Sequence, residues 1–574
     1  MRFKEPAAQK KALGEDLLLP VGLICVKYKA SNHSLRRVSC FCGKQMNNVN
    51  PSALLRTLVV YAVCVPLAML VGYLLSDPFQ QGSMMFGAAV AAVLIFPLLM
   101  KWHYPLLILS FGLPVTMFFL PGRPNMYLTM VAASLTITVL ERILDRNQPS
   151  LPVPSVRWPL LALLAVVFAT AKLTGGFGLR SMGSDVYGGK KYIFLVVGIL
   201  AFFAVSARPI SKKQANLYIT LYFAGGFLAA IQDLYPLVPS PLRFIYLVIP
   251  PANFGMGELG SQGVVLGQTR LGGMGNAASA VFFWMLARHG FRGNFLTGRI
   301  WRPLIAGLAF SLIFLGGFRS GIISAVMVLG LIFFLEKMHR TGAMLVVLMA
   351  GLLGGAVLVP LASHLPYTFQ RALTFLPLDL SNEARMDAED SSQWRINIWK
   401  AELPLVPKYL LLGKGYAFSA ETFNESMGLN ATFQGALSAA DNPLALSSDF
   451  HSGPLSVVIP LGIWGALVWL WFWGAGFLVL WRNYHYGDPD LRHINLFLYA
   501  FFLQKCVMFL FVVGSMVDDV GVFAGVIGLS VAFNHGVRRR KAAAVWSAGQ
   551  TASPARPALG RPAAPSRPAL PAVG

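Results

Sequence analysis

His451 lies in DFHSGPLSVVIPLGIWG (449–465), between a polar stretch and a run apolar enough to cross a bilayer. An imidazole there titrates near neutral pH and can exchange a proton with its surroundings. Three arginines stand beside turns or helix ends: Arg270 in GQTRLGGMGN (267–276), Arg319 in LGGFRSGIIS (315–324) and Arg395 in SSQWRINIWKAELPLV (391–406). A guanidinium stays charged at any relevant pH, and its planar fork binds phosphate oxygens in pairs. Glycines beside it let the backbone approach a ligand closely. Together the three point to an anion site. Singly, each could equally anchor a helix end by snorkelling, and His451 could merely cap a helix.

These residues need a scaffold, and the composition says which kind. Of 574 residues 56% are hydrophobic and 12% charged, about half the charge of a soluble domain. Apolar runs long enough to span a bilayer recur along the chain. The reading is an all-α integral membrane protein of about 12–14 transmembrane helices, with a large periplasmic helical loop between late spans. Fourteen spans are expected near 53–75, 82–100, 104–120, 125–140, 158–174, 190–206, 215–231, 274–287, 303–318, 320–335, 343–361, 453–480, 494–513 and 516–533. The expected organisation is a basic cytoplasmic segment (1–52), a transmembrane bundle (53–361), the periplasmic loop (362–452), C-terminal transmembrane helices (453–534) and a disordered basic tail (535–574).

Charge sets the expected orientation. With both termini inside, the cytoplasmic segments hold 32 of the 47 Lys and Arg against 8 acids, and the outer segments hold 14 against 16. The positive-inside rule then places both termini in the cytoplasm and His451 outside. The net charge of +23 follows from this bias and needs no nucleic-acid partner. Met46 offers a second start just before the first span. LLLPVGLICV (17–26) is too short to span and lacks a small-residue cleavage site after it, so it is not read as a signal peptide.

Other features weigh less. Cys40-x-Cys42 with His33 has poor metal spacing and lacks a second pair, and no cysteine falls in an outer loop, so neither metal nor disulfide is expected. In the outer loop, Ser391 or Ser392 can cap a helix that carries Arg395 and Trp399 on one face and ends at Pro404 and Pro407. Asp387-x-Glu389 sits in an acidic run that reads as solvated surface. Lys505, mid-span, needs a partner, with Asp518 and Asp519 as candidates. Lys190 and Lys191 in SDVYGGKKYIF (184–194) could bind phosphate or anchor a helix. A transporter would show paired charges in several spans and an internal repeat, whereas one strongly buried charge and no repeat are found.

In these motifs the chain resembles the O-antigen ligase/polymerase superfamily of bacterial envelope glycosyltransferases. The ligase pattern of His, then Asn, Ser or Gln, nine residues and Gly-x-x-Gly is met by His451, Ser452, Gly462 and Gly465. FRSG at Arg319, WRINIW at Arg395 and TRLGGMGN at Arg270 match its arginine segments, so ordered motifs cover roughly 260–480. Fourteen spans exceed the usual twelve. The resemblance implies transfer of a glycan from undecaprenyl diphosphate to an acceptor hydroxyl, on lipid A–core for a ligase or on another lipid-linked unit for a polymerase. It also implies His451 as general base, Arg319 as catalytic, and Arg270, Arg319 and Arg395 on the diphosphate, with Lys190, Lys191 and Lys505 as further candidates. Gly462 and Gly465 would allow close packing of a helix or polyprenyl chain. The expected partners are the undecaprenyl-diphosphate-linked donor, the glycan acceptor and membrane lipid. No cofactor or metal is expected, because arginines would carry the phosphate charge.

Overall fold

The computed structural model describes residues 60–538, apart from 252–269, 420–449, 179–185, 146–150 and a few shorter stretches before 153. The N-terminal segment with its cysteine pair and the tail from 539 lie outside the described residues. The chain divides into two units, Met1–Asp77 and Pro78–Gly574. In the first, the described residues between 60 and 76 are helical.

The second unit is an all-α membrane protein. Its main helices are α1 (Gln81–Ser110), α2 (Met126–Leu144), α3 (Pro154–Leu173), α4 (Gly189–Val205), α5 (Lys212–Phe227), α6 (Gly272–Phe295) and α7 (Trp301–Ile313). They continue as α8 (Arg319–Leu335), α9 (Ala343–Leu361), α10 (Tyr367–Ala372), α11 (Asn382–Glu402), α12 (Gly453–Tyr486), α13 (Arg492–Phe511) and α14 (Met516–Asn534). Among the described residues seven helices are long and apolar enough to cross a membrane, and α7 and α8 are shorter apolar helices. The only sheet among the described residues is β1 (Val186–Tyr187) paired antiparallel with β2 (Phe418–Ser419).

α14 is the centre of the bundle. Its transmembrane window is the most buried of the seven, and it lies along α4. A Cβ on Gly198 would stand 2.5 Å from Val520, and one on Gly528 3.0 Å from Val205. The small residues let the two backbones approach, which is how helices gain dispersion contacts where lipid offers no hydrophobic drive.

One expected boundary fails. Separate spans are expected at 82–100 and 104–120, yet α1 continues through Lys101–His103 to Ser110, and the described residues from 111 to 125 carry no helix. The polar residues that suggested a loop find partners within the fold. The buried His103 ring bonds Ser134 Oγ through Nδ1 at 2.8 Å and faces Glu141, itself paired with Arg208. The Tyr104 hydroxyl donates to Val205 O at 2.6 Å.

α12 is broken near its N-terminal end. Gly462 has φ 66° and ψ −166°, a conformation essentially reserved for glycine. The break exposes backbone groups that the 409–415 segment satisfies: Lys414 N donates to Ile459 O at 2.7 Å, Gly415 N to Pro460 O at 2.9 Å, and Ile463 N to Leu410 O at 2.6 Å. Gly462 thus serves a backbone junction between α12 and the 409–415 segment, and a Cβ there would meet Leu410 O at 2.8 Å. At Gly465 the atom in the way is Leu461 Cβ of the same helix, 2.4 Å off. Gly462→Ala is expected to cost about 1–3 kcal/mol from the backbone alone, seen as a lower Tm and yield of membrane-inserted protein. A variant as stable as wild type would contradict the junction.

Candidate functional site

α11 organises the site. It begins at Asn382, capped by Ser381, whose hydroxyl accepts from Ala384 N. The start expected at Ser391 or Ser392 is therefore about ten residues too late, and those serines lie inside the helix. Leu403–Leu405 then tightens into a 3-10 turn at the prolines, as expected of a residue that cannot continue the ladder. The earlier start matters, because it puts Asp387 on the same helix as Arg395. Asp387 does not belong to a solvated run: its side chain is 13% exposed and lies inside a cluster of cations.

The cluster draws on four segments. Arg270 donates from Nη2 to both Asp387 oxygens at 3.0 and 2.8 Å. Arg371 on α10, buried, donates from Nε to Asp387 Oδ2 at 2.6 Å and from Nη1 to Gly317 O at 2.6 Å. The Tyr367 hydroxyl adds a bond to Oδ2 at 2.8 Å. Arg319, first residue of α8, donates to Ala388 O and Ser392 Oγ of α11, both at 2.9 Å. Arg395 lies two turns along α11 from Asp387, and its Nε is buried without a hydrogen-bond partner among the described residues.

Charge is distributed unevenly here. Burial pushes the Asp387 carboxyl up, but bonds from Tyr367 and Arg371 and the charges of Arg371 and Arg270 outweigh it and hold the group below its ordinary range. Burial and the neighbouring Asp387 push the Tyr367 phenol up to about 12. Burial, then the charge of Arg371, lowers Arg395, and burial, then Arg270, lowers Arg371. Four guanidiniums thus share one bonded carboxylate. Arg270 and Arg371 are neutralised by it, whereas Arg319 meets only neutral acceptors and Arg395 keeps a buried orphan donor. An uncompensated, partly desolvated cation with an unpaired N–H is costly unless an anion completes it.

Because the Asp387 carboxyl is depressed in the folded state, its contribution to stability is complete above its unfolded value and is lost as pH falls through the lower folded value. The loop that carries α10 and α11 is accordingly expected to keep its Tm down to about pH 4 and to loosen only below that. Asp387→Asn should lower Tm at neutral pH and flatten that acid limb; an unchanged melting curve would contradict the pairing.

His451 is fixed between this loop and the bundle. Phe450 is fully buried, and Trp399 on α11 donates from Nε1 to its carbonyl at 3.0 Å. Gly453 on the other side lies against Phe509, where a Cβ would meet Phe509 O at 2.2 Å. The Ser456 hydroxyl receives Met516 N at 3.0 Å, tying this end of α12 to α14. Between these anchors His451 takes φ 48°, a left-handed conformation uncommon for a side-chain-bearing residue. The helix cap is Ser452, not His451. The half-buried imidazole meets the Trp394 ring edge-to-face at 5.1 Å, and Trp394 precedes Arg395. One helix therefore carries both Arg395, with its unpartnered donor, and the tryptophans that contact His451 and its neighbour.

The remaining candidates lie elsewhere. Lys190 is exposed with its ammonium 5.6 Å from the Phe194 ring, and Lys191 is half-buried on the same first turn of α4. Lys505 pairs with Asp519 at 3.5 Å, the structural partner expected for it. Asp387, Arg371 and Tyr367 were not anticipated. The signal for Asp387 was available: Asp387, Ser391 and Arg395 recur at four-residue spacing, one face of a helix. Arg371 in YTFQRA carried no comparable signal, since its role depends on a carbonyl 54 positions earlier. Among the described residues no group of His, Cys, Asp and Glu is placed to hold a metal.

The fold and site define a polytopic membrane protein with a cationic cluster and a histidine at one end of the bundle. Residues 304–470 match the family model of the O-antigen ligase, Wzy_C, which supports the O-antigen ligase superfamily and a ligase/polymerase-type function generally. That family is enzymatic. The matched stretch holds Arg319, Arg371, Asp387, Arg395, His451 and both motif glycines, and leaves Arg270 outside. No curated protein and no solved structure matches the chain.

Proposed function

We propose that the chain is a metal-independent O-antigen ligase-like glycosyltransferase of the bacterial inner membrane. It would move a glycan from undecaprenyl diphosphate to an acceptor hydroxyl, such as one on lipid A–core, at the periplasmic face. The observation that carries this reading is the arginine cluster, with excess positive charge and an unpartnered Arg395 donor, on the same helix as the Trp394 that packs on His451.

In this mechanism Arg319 and Arg395 hold the diphosphate and stabilise the charge that grows on it as the bond to the sugar breaks. Arg270 is bonded to Asp387 through Nη2 alone, which leaves its other guanidinium nitrogens for the same anion. Arg371 fixes the Gly317 carbonyl two residues before Arg319 and so aims that side chain. His451 accepts the acceptor's proton as its oxygen attacks the anomeric carbon. Polymerisation of lipid-linked repeat units uses the same chemistry with another acceptor, and it is the alternative reading.

This function requires the loop between α9 and α12 to lie outside and the C-terminus inside. Reporter fusions in 365–415 are expected to read periplasmic, and fusions after residues 295 and 485 cytoplasmic. The reverse pattern would place the arginines and His451 on the wrong side and end the proposal.

A further inference from the structure

α8 runs from Arg319 at the proposed reaction site to a second basic region at the opposite end of the bundle. Residues 288–302 and 336–342 carry Arg288, Arg292, Arg299, Arg302, Lys337 and Arg340, with Glu336 as their one acid. That acid is already engaged. α6 breaks at Gly290 (φ 64°, ψ −169°), and the freed N–H groups of Phe291 and Arg292 donate to the Glu336 carboxylate at 3.0 and 2.9 Å. The bond fixes the Arg292 backbone and leaves its exposed guanidinium without a carboxylate partner among the described residues.

Beside Arg292 is a cavity of about 390 Å³ between the end of α6 and the start of α9. Arg292, Thr341 and Gly342 line it together with the apolar Leu296 and Val346. The cavity opens onto α9, which is apolar throughout and has no buried residue. Trp284 and Trp301 lie under Arg288 and Arg302 in the same region, amphipathic rings of the type that sit at headgroup level. The arrangement is amphipathic in the sense of a membrane lipid: a cationic mouth at the interface and a hydrocarbon wall running into the bilayer.

We infer that this cavity is a binding site for an anionic phospholipid, with the phosphodiester against the Arg292 guanidinium and an acyl chain along α9. Charge complementarity selects the occupant, because basic pockets at this depth collect acidic headgroups while a zwitterionic lipid gains little net attraction. A bound lipid here would tie α9 to the break in α6, two elements otherwise joined through Met338–Gly342. The site lies at the far end from the arginine cluster and stands independently of the transfer reaction.

The test uses the full-length chain in neutral detergent micelles, titrated with dioleoyl phosphatidylglycerol, dioleoyl phosphatidylcholine or inorganic phosphate while Tm is followed. Phosphatidylglycerol is expected to raise Tm saturably, and the other two are not. Arg292→Gln should weaken the apparent affinity on the order of fivefold, the effect of one basic contact near a lipid surface. Each variant is compared with its own lipid-free Tm, so a general loss of stability cannot imitate the result. Gly342→Trp, placed where the backbone faces open space, should fill the cavity and abolish the rise without removing charge. An equal rise with phosphatidylcholine or with phosphate would overturn the inference, as would unchanged titrations in both variants.

Discussion

His451→Ala is expected to lower glycan transfer per folded molecule by about 10²–10⁴, the usual contribution of a positioned acid–base group. Expression and donor binding should survive, because the arginines rather than the imidazole hold the diphosphate. The surrounding structure makes this separable from a folding defect. Phe450 is anchored by Trp399 and the end of α12 by Ser456 and Gly453, so removing the ring leaves both anchors in place. Ser452→Ala supplies the internal control. Ser452 caps α12 without a side-chain bond, so its loss should change turnover far less. If His451 were only structural, the alanine variant would lose yield or Tm while turnover per folded molecule stayed near normal. That outcome would remove the general base and leave the arginine site standing alone.

Arg319→Lys should lower transfer by about 10²–10³, comparable to deleting one donor from a site that stabilises developing negative charge. The substitution keeps a cation but replaces a fork with a point. Arg319 uses Nη2 on Ala388 O and Ser392 Oγ, which orients its plane and leaves the other nitrogens for ligand. A lysine ammonium that reaches those two acceptors has no rigid second face to offer. Arg270→Lys should lose less, since Arg270 already shares its charge with Asp387. Equal losses at the two positions would contradict the division of labour between a neutralised and an uncompensated arginine.

Much of this arrangement was legible in the sequence, and the exceptions have physical causes. The apolar runs and the basic bias identified a helical membrane protein because the bilayer demands internally satisfied backbone. Arg270, Arg319 and Arg395 could be grouped because two precede or open a span and the third lies in the large loop on the same expected side. Asp387 was misjudged because acidic runs are commonly solvated; Asp387 turns inward while Glu389 and Asp390 are exposed. The helix break at Gly462 was illegible because a glycine in an apolar run is tolerated in an ordinary span, and the need for it comes from Gly413–Gly415 some fifty residues away. The false boundary at Lys101–His103 has the same origin: buried partners on α2, not local composition, decide whether a polar triplet remains helical.

The most direct measurement is transfer by the purified full-length chain, given glycan on undecaprenyl diphosphate and a lipid A–core acceptor in the presence of strong chelator. The account predicts glycosylated acceptor and free undecaprenyl diphosphate in equal amounts, with wild-type rates unaffected by chelation and loss of both products in His451→Ala. A folded wild-type protein that binds donor yet forms neither product, or one stopped by chelator and restored by magnesium or manganese, would contradict it.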